Sequence, residues 1–526
     1  MLIDRDRVRA TARHASSRTA LLAGTALLTA ATGSLADPFD GNGPFGFGQE
    51  MGHDGRSFLQ HDSLVIISSS YDRTKGALRF LAVGATLPDS ATATTKAVAS
   101  NNYVTVWNNE SVDASFGATS AIQLIDVDPF TGRVFSALPV PTDKVVTSFS
   151  SKSELALHIA QNRSGPHLVF MGYAGSGVGA LDVSNSDAVA GQDPTNPVTF
   201  AFGSNYAFPR TIVSVDQNGR FYYTPTVNYG GNNGRSALLG SNGLYYTVGN
   251  SNNGNAATFG ASNGTKPDVT ETTGLEAVAP IDAPWSSVRP GASAEVDSLL
   301  QMTFGAKADK PGKDNNYRGV TEHDGALFFT KGSGSNGVDT VYTVNSLPTV
   351  ANAAAATISI APGFPTDSAK STGGDFTPFA LFFANATTMY VTDEGSGNDT
   401  DAASHAGLEK WSLVNHVWQL DYVLTKGLIG VVDKNLNGFD GQYPDVTTVG
   451  LRNMTGVVSP DGAVTLWATT STSSASGDNG ADPNKVVRIT DDLAATTLTG
   501  RVAQESFKTL AGPTYGTVYR GVAYAE

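Results

Sequence analysis

Five arginines recur at one position of a repeated pattern: Arg210, Arg235, Arg318, Arg452 and Arg520 each open a short apolar run. Lys152 stands in a similar place before the run 155–159. A guanidinium is a planar fork of donors that pairs bidentately with carboxylate, sulfate or phosphate. Cations gathered at one mouth would focus their field on an anionic ligand. A residue recurring once per repeat also suits a purely architectural role, bonded to carbonyls or to an acid of the next repeat. Tyr317 and Tyr519 each precede a repeat arginine, where they could stack on sugar rings or pack between repeats.

A second constellation has the chemistry of a hard-cation site. Asp433, Asn435, Asn437 and Gly438 match the opening of a calcium loop, in which side-chain oxygens at alternate positions converge and glycine permits the turn. The pattern then departs, because Pro444 stands where a bidentate glutamate is expected; Asp440 or Asp445 would have to complete the shell. The candidate cofactor is therefore calcium, with a simple Asn/Gly turn as the alternative. Asp393, Glu394, Asp399 and Asp401 form a further acidic cluster, suited to a metal or to a solvated loop. The eight histidines are scattered, without the spacing of a transition-metal site. With no cysteine there is no disulfide framework, thiolate metal site or cysteine nucleophile. Neither a nucleophile elbow nor a phosphate-binding loop occurs.

The elements that must position these residues are strands. Amphipathic helical periodicity is almost absent, and short β-branched and aromatic runs alternate with Gly/Asn/Asp/Ser turns. Residues 318–344 (RGVTEHDGALFFTKGSGSNGVDTVYTV) align with 235–254, 452–470 and 210–224. Each copy reads as an arginine, a short strand, a tight turn and a strongly apolar strand. The turns are Asp324-Gly325, Asn242-Gly243, Asp461-Gly462 and Asn218-Gly219, types suited to two-residue hairpins. Leu168–Tyr173 and Met389–Glu394 read as further second strands. A Gly/Ser/Asn-rich loop and two more strands complete a four-stranded meander.

About 490 residues after the leader, at a mean spacing of about 70, give about seven such units, the blades of a β-propeller. Tyr519-Arg520-Gly521-Val522 copies Tyr317-Arg318-Gly319-Val320 and then the chain stops. Its missing partner strand is expected near the N-terminus, at residues 64–70, so that pairing of the two termini closes the ring. The fold class is thus all-β, a single propeller over 37–526. The blade motifs resemble those of secreted propellers of the NHL, YVTN and gluconolactonase-like type, a WD40/YVTN-like repeat pattern. Met389–Glu394 is similar to their Y-V-x-D strand, and Asp128–Gly132 to their D-P-x-T-G hairpin. The resemblance implies the fold and carries no active site.

Residues 1–36 read as a secretory leader: Arg5, Arg7, Arg9, Arg13 and Arg18 precede the apolar run 20–31, and Ser34-Leu35-Ala36 suits cleavage. The run is too short to span a membrane, and no later stretch is long enough. A secreted or periplasmic, monomeric protein without a transmembrane segment is expected. The net charge of −14 argues against nucleic acid as a partner. The functional expectation is a propeller binding a polar, anionic small molecule or polysaccharide at an arginine-lined upper face. The alternative is an enzyme on that face: a polyuronate lyase using Tyr317 or His323 as base, or a calcium-dependent lactonase or phosphoesterase.

Overall fold

The protein is seen here as a computed structural model that describes residues 58–70, 86–88, 94–96, 119–148, 155–162, 165–174, 177–178, 209–226, 228–229, 233–250, 274–284, 291–296, 316–332, 337–369, 375–397, 405–433, 445–473, 483–514 and 516–526. Lys152, Asn435, Asn437, Asp440, Asp399, Asp401 and the leader lie outside the described residues.

The first strands are β1 (Ser63–Ser70), β2 (Thr86–Pro88), β3 (Thr94–Lys96), β4 (Thr119–Val127), β5 (Val134–Pro139) and β6 (Val145–Ser148). They are followed by β7 (His158–Asn162), β8 (Gly165–Ala174), β9 (Arg210–Asp216) and β10 (Phe221–Thr226). Two four-stranded sheets come next. One holds β11 (Gly234–Leu239), β12 (Tyr245–Gly249), β13 (Gly274–Val278) and β14 (Ser293–Glu295). The other holds β15 (Val320–His323), β16 (Ala326–Lys331), β17 (Thr340–Val344) and β18 (Ser359–Ile360). A third is built from β19 (Pro378–Asn385), β20 (Thr388–Asp393), β21 (Gly407–Val414) and β22 (Val417–Leu424). A five-stranded sheet follows, with β23 (Val432–Asp433), β24 (Val446–Val458), β25 (Ala463–Ser473), β26 (Val486–Asp492) and β27 (Lys508–Ala511). The last strand is β28 (Thr517–Ala525).

The fold is all-β, with a propeller-like arrangement of four-stranded antiparallel meanders. The two termini pair as expected: β1 runs antiparallel to β28, Leu64 opposite Tyr524 and Ser70 opposite Thr517. The blade count does not follow the expectation. Four to five blade-like sheets are found among the described residues, not seven. One reason is that the large sheet is nine-stranded: the meanders β28-β1-β4-β5 and β7-β8-β9-β10 are joined through β6. Another is that the 210–224 segment is not a repeat opening. β9 pairs with β8 and with β10, so it is the third strand of the meander that contains Leu168–Tyr173.

Burial follows position within each sheet. Second strands are covered by neighbours on both faces: β12 and β20 are buried at every residue. The fourth strand β22 instead alternates exposed and buried positions. The innermost strands β7, β11, β15, β19, β24 and β28 each lie against the next, and β28 returns to β7. Apolar side chains fill the joints between sheets, for example Tyr246 and Leu275 with Val320 and Leu327, and Leu381 and Trp411 with Val341.

The four hairpin turns divide into two kinds. Among them only Asp324-Gly325 has both residues at positive φ (49° and 73°), the two-residue turn expected. At Asn242-Gly243, Asn218-Gly219 and Asp461-Gly462 only the glycine is left-handed. There the preceding chain makes a wider turn, closed by Gly243 N–H to Gly240 O and Gly462 N–H to Ser459 O.

Candidate functional site

Four of the five repeat arginines, Arg235, Arg318, Arg452 and Arg520, are bulge residues at innermost strands. In β28 Gly521 faces Ile67 and Tyr519 faces Ser68, so Arg520 is the extra residue. In β11 Gly234 faces Gly249 and Ser236 faces Val248, leaving Arg235 extra. Arg452 and Asn453 fall between the pairs Leu451–Thr470 and Met454–Ala468. Just ahead of β15, Arg318 N–H donates to Thr330 O while Gly319 O accepts from Thr330 N–H, so two residues face one. A bulge adds a residue to one strand and re-aims its side chain, and bulges often flank functional sites. The corresponding shift in β19 falls between Pro378 and Leu381, so Phe379 stands where the other strands carry arginine; the Arg318 guanidinium lies 5.9 Å from its ring centre.

Threonines opposite these bulges stitch one sheet to the next. Thr330 Oγ1 donates to Phe379 O at 2.7 Å, and Thr392 Oγ1 to Arg452 O at 2.6 Å. Asn453 Nδ2 donates to Arg520 O at 2.5 Å in the following joint. The glycine after the arginine is required by the same closeness. A Cβ on Gly319 would sit 2.5 Å from Phe379 O, and one on Gly521 2.4 Å from Leu155 O.

Two of the arginines converge on one acid. Glu394 directly follows β20; its Oε2 lies 3.3 Å from Arg452 Nε and its Oε1 3.9 Å from Arg318 Nη2. All three side chains are buried, at 3–4% exposure. Burial lowers the Arg318 pKa, with Glu394 opposing that shift and Arg452 adding to it. Lys331 and Asp339 pair beside them at 2.5 Å, and burial raises the Asp339 carboxyl against the pull of Lys331. This arrangement can hold a carboxylate between guanidiniums of two different sheets.

The remaining expected residues divide. Arg235 is also buried, donating to Asn316 Oδ1 and to Tyr317 O. Arg520 Nε donates to Ser69 Oγ at 3.2 Å. Arg210 stands apart from them on a third strand, in plain register with Tyr173 and Thr226, its guanidinium 5.2 Å from the Tyr173 ring centre. Tyr317 is fully buried against Phe329 and Tyr342, with ring centres 4.6 and 5.4 Å away. Tyr519 is buried too, its backbone N–H donating to Asn484 Oδ1. Both tyrosines therefore pack between sheets. Tyr317 and His323 do not meet: His323 ends β15 at the hairpin turn and stacks on Phe383 at 4.1 Å. Six extended residues separate the two by about 20 Å, too far for a shared catalytic centre. Asp433 is engaged with Lys485 Nζ at 2.8 Å, which a calcium ion would have to displace.

Of the acidic cluster, the two described members, Asp393 and Glu394, are both buried and hydrogen-bonded. Asp393 is fully buried and accepts from Thr377 N–H at 2.6 Å, Thr377 Oγ1 at 2.5 Å and Gly395 N–H at 2.8 Å. Burial still pushes its carboxyl up to about 6. Facing it are two residues that sequence reasoning missed, His405 and Glu409, with His405 Nδ1 2.6 Å from Glu409 Oε1. Trp411 Nε1 donates to the other oxygen of Glu409 at 2.7 Å. Burial drives Glu409 up to about 7, and its hydrogen bond raises the His405 pKa. Their spacing of four spans the start of a strand rather than a helical turn, so it carried no sequence signal.

No known family model matches the chain, and no curated relative matches it. Solved structures similar to it include a GH43_1 enzyme of Xanthomonas citri complexed with xylose, at 11% identity over 53% of this chain and 74% of that one, TM-score 0.26. The NanB sialidase of Streptococcus pneumoniae matches at 10% identity over 69% and 62% of the two chains, TM-score 0.33. A polysaccharide lyase, the PL25 ulvan lyase bound to a GlcA–Rha3S oligosaccharide, matches at 9% identity over 84% and 96%, TM-score 0.29. Among the described residues no helix is long and apolar enough to cross a membrane.

Proposed function

We propose that the protein is an exported propeller that binds a polar, anionic ligand of the acidic-glycan class at the arginine end of its innermost strands. The observation that supports this reading is the clamp on Glu394, where guanidiniums from the two sheets on either side of its own close on a single carboxylate. A uronate carboxylate offers the same planar acceptor pair to the same donors. The clamp is buried and already filled by Glu394, so a ligand carboxylate competes with it for the guanidiniums. The competition gives the site a selectivity: neutral sugars cannot displace a charged side chain, whereas polyanions can.

The test is the melting temperature of the purified protein against neutral and acidic oligosaccharides. A rise confined to acidic members, and lost when Arg318→Ala and Arg520→Ala are combined, supports the reading. No rise with any member makes the arginine repeat an inter-sheet joint and nothing more.

A further inference from the structure

The clamp has a neighbour that its own chemistry does not use. Asp393 ends β20 and pairs with Gly407, the first residue of β21. Glu394, the next residue, reaches the two arginines, while His405 lies two residues before Gly407. The imidazole therefore stands at the same end of the same sheet as the clamp. Glu409 beneath it is fully buried, with both carboxylate oxygens occupied, whereas the His405 side chain is 23% exposed. A buried acid holding Nδ1 fixes the ring and leaves Nε2 as the second nitrogen, the geometry by which an acid orients a proton-carrying histidine.

We infer that His405, held by Glu409, is the proton-linked element of the anion site, so that ligand binding takes up a proton there. The inference rests on the anionic-ligand reading above. The groups facing the imidazole are Glu409 on its own strand, Asp393 on β20 and Asp375 ahead of β19, with the Phe376 ring 5.2 Å away. Three ionised carboxylates around a neutral imidazole repel an approaching anion. One added proton on the His405–Glu409 pair removes a negative charge from that field. Asp393 is fixed in place by its three hydrogen bonds and faces the pair from the neighbouring strand. Burial holds Glu409 near neutrality, which puts the exchange within an accessible pH range.

The experiment is calorimetric titration of the purified protein with tetragalacturonate from pH 5.5 to 8, in two buffers of different ionisation enthalpy. The uronate itself stays ionised over that range. Expected are uptake of about one proton per ligand and an affinity that rises by up to about tenfold per pH unit on acidification. His405→Gln should flatten the pH dependence, whereas Arg318→Ala should weaken binding at every pH. Binding without proton uptake, at a pH-independent affinity, overturns this inference and leaves the ligand reading intact. No binding at any pH, by the wild type or by Glu394→Gln, overturns both. Should His405→Gln fail to fold, the buffer-dependent enthalpy of the wild type and the NMR titration of the His405 imidazole, with and without tetragalacturonate, decide in its place.

Discussion

Glu394 is the residue at which three sheets meet, its own and those of Arg318 and Arg452. Removing one partner of a buried ion pair leaves an uncompensated charge, at a cost of about 3–5 kcal/mol. Glu394→Gln leaves Arg318 and Arg452 without their shared anion, and chemical denaturation should read a loss of that order. The same variant should gain more melting temperature than the wild type from tetragalacturonate, because the competing carboxylate is gone. An equal gain in both proteins would mean that the ligand does not enter the clamp. The threonines opposite the bulges act more modestly. Thr330→Val and Thr392→Val each delete one hydrogen bond to the neighbouring sheet. Each should cost about 1 kcal/mol, read by the denaturation midpoint at unchanged slope.

At the scale of the element, the innermost strand is a bulged strand with a glycine pressed against its neighbour. Gly319→Ala and Gly521→Ala force a methyl group onto a backbone oxygen and should destabilise by about 1–3 kcal/mol. A methyl group added at Gly512 would meet nothing within 4 Å, and the backbone there is not left-handed, so Gly512→Ala should be near neutral by the same measurement. At Arg318-Gly319 and Arg520-Gly521 two constraints, a re-aimed side chain and a close backbone approach, fall on adjacent residues, which made these two copies legible as one motif. The pairing of the termini was legible because Tyr519-Arg520-Gly521-Val522 repeats Tyr317-Arg318-Gly319-Val320, the start of a unit, and residues 64–70 read as the second strand it needs. Arg210 misled because its strand has the same apolar texture as a first strand, and only pairing distinguishes a third strand from it. The bulges themselves, and the Glu394 and His405–Glu409 contacts, depend on which residues oppose one another across sheets. A single chain read in order does not carry that information.

For the molecule as a whole, the buried acids set the response to pH. Asp126 is pushed up to about 7, Glu409 to about 7, Asp393 to about 6 and Glu505 to about 8, in each case chiefly by burial. A carboxyl whose folded pKa exceeds its unfolded value contributes stability that is complete below the unfolded pKa and is lost as pH rises through the folded one. These four therefore favour the fold most at about pH 4 and withdraw that support progressively as pH rises from about 4 to about 8. His158 acts in the opposite sense. Burial lowers it to about 4, so its contribution is present above the unfolded value of 6.5 and lost as pH falls toward 4. Four acids outweigh one imidazole, and thermal melts should show the melting temperature rising from pH 8 to about pH 5.5. A maximum at or above pH 8 would contradict the burial of these carboxyls.

Repeated blades account for the strands, and bulged innermost strands account for the arginines. What joins them to a function is the claim that the clamp between Arg318 and Arg452 receives a ligand carboxylate. A crystal structure of Glu394→Gln soaked with tetragalacturonate tests that claim most directly. A uronate carboxylate should lie within hydrogen-bonding distance of both guanidiniums. Tetragalacturonate bound elsewhere, with the substituted side chain still lying between the two arginines, would contradict it.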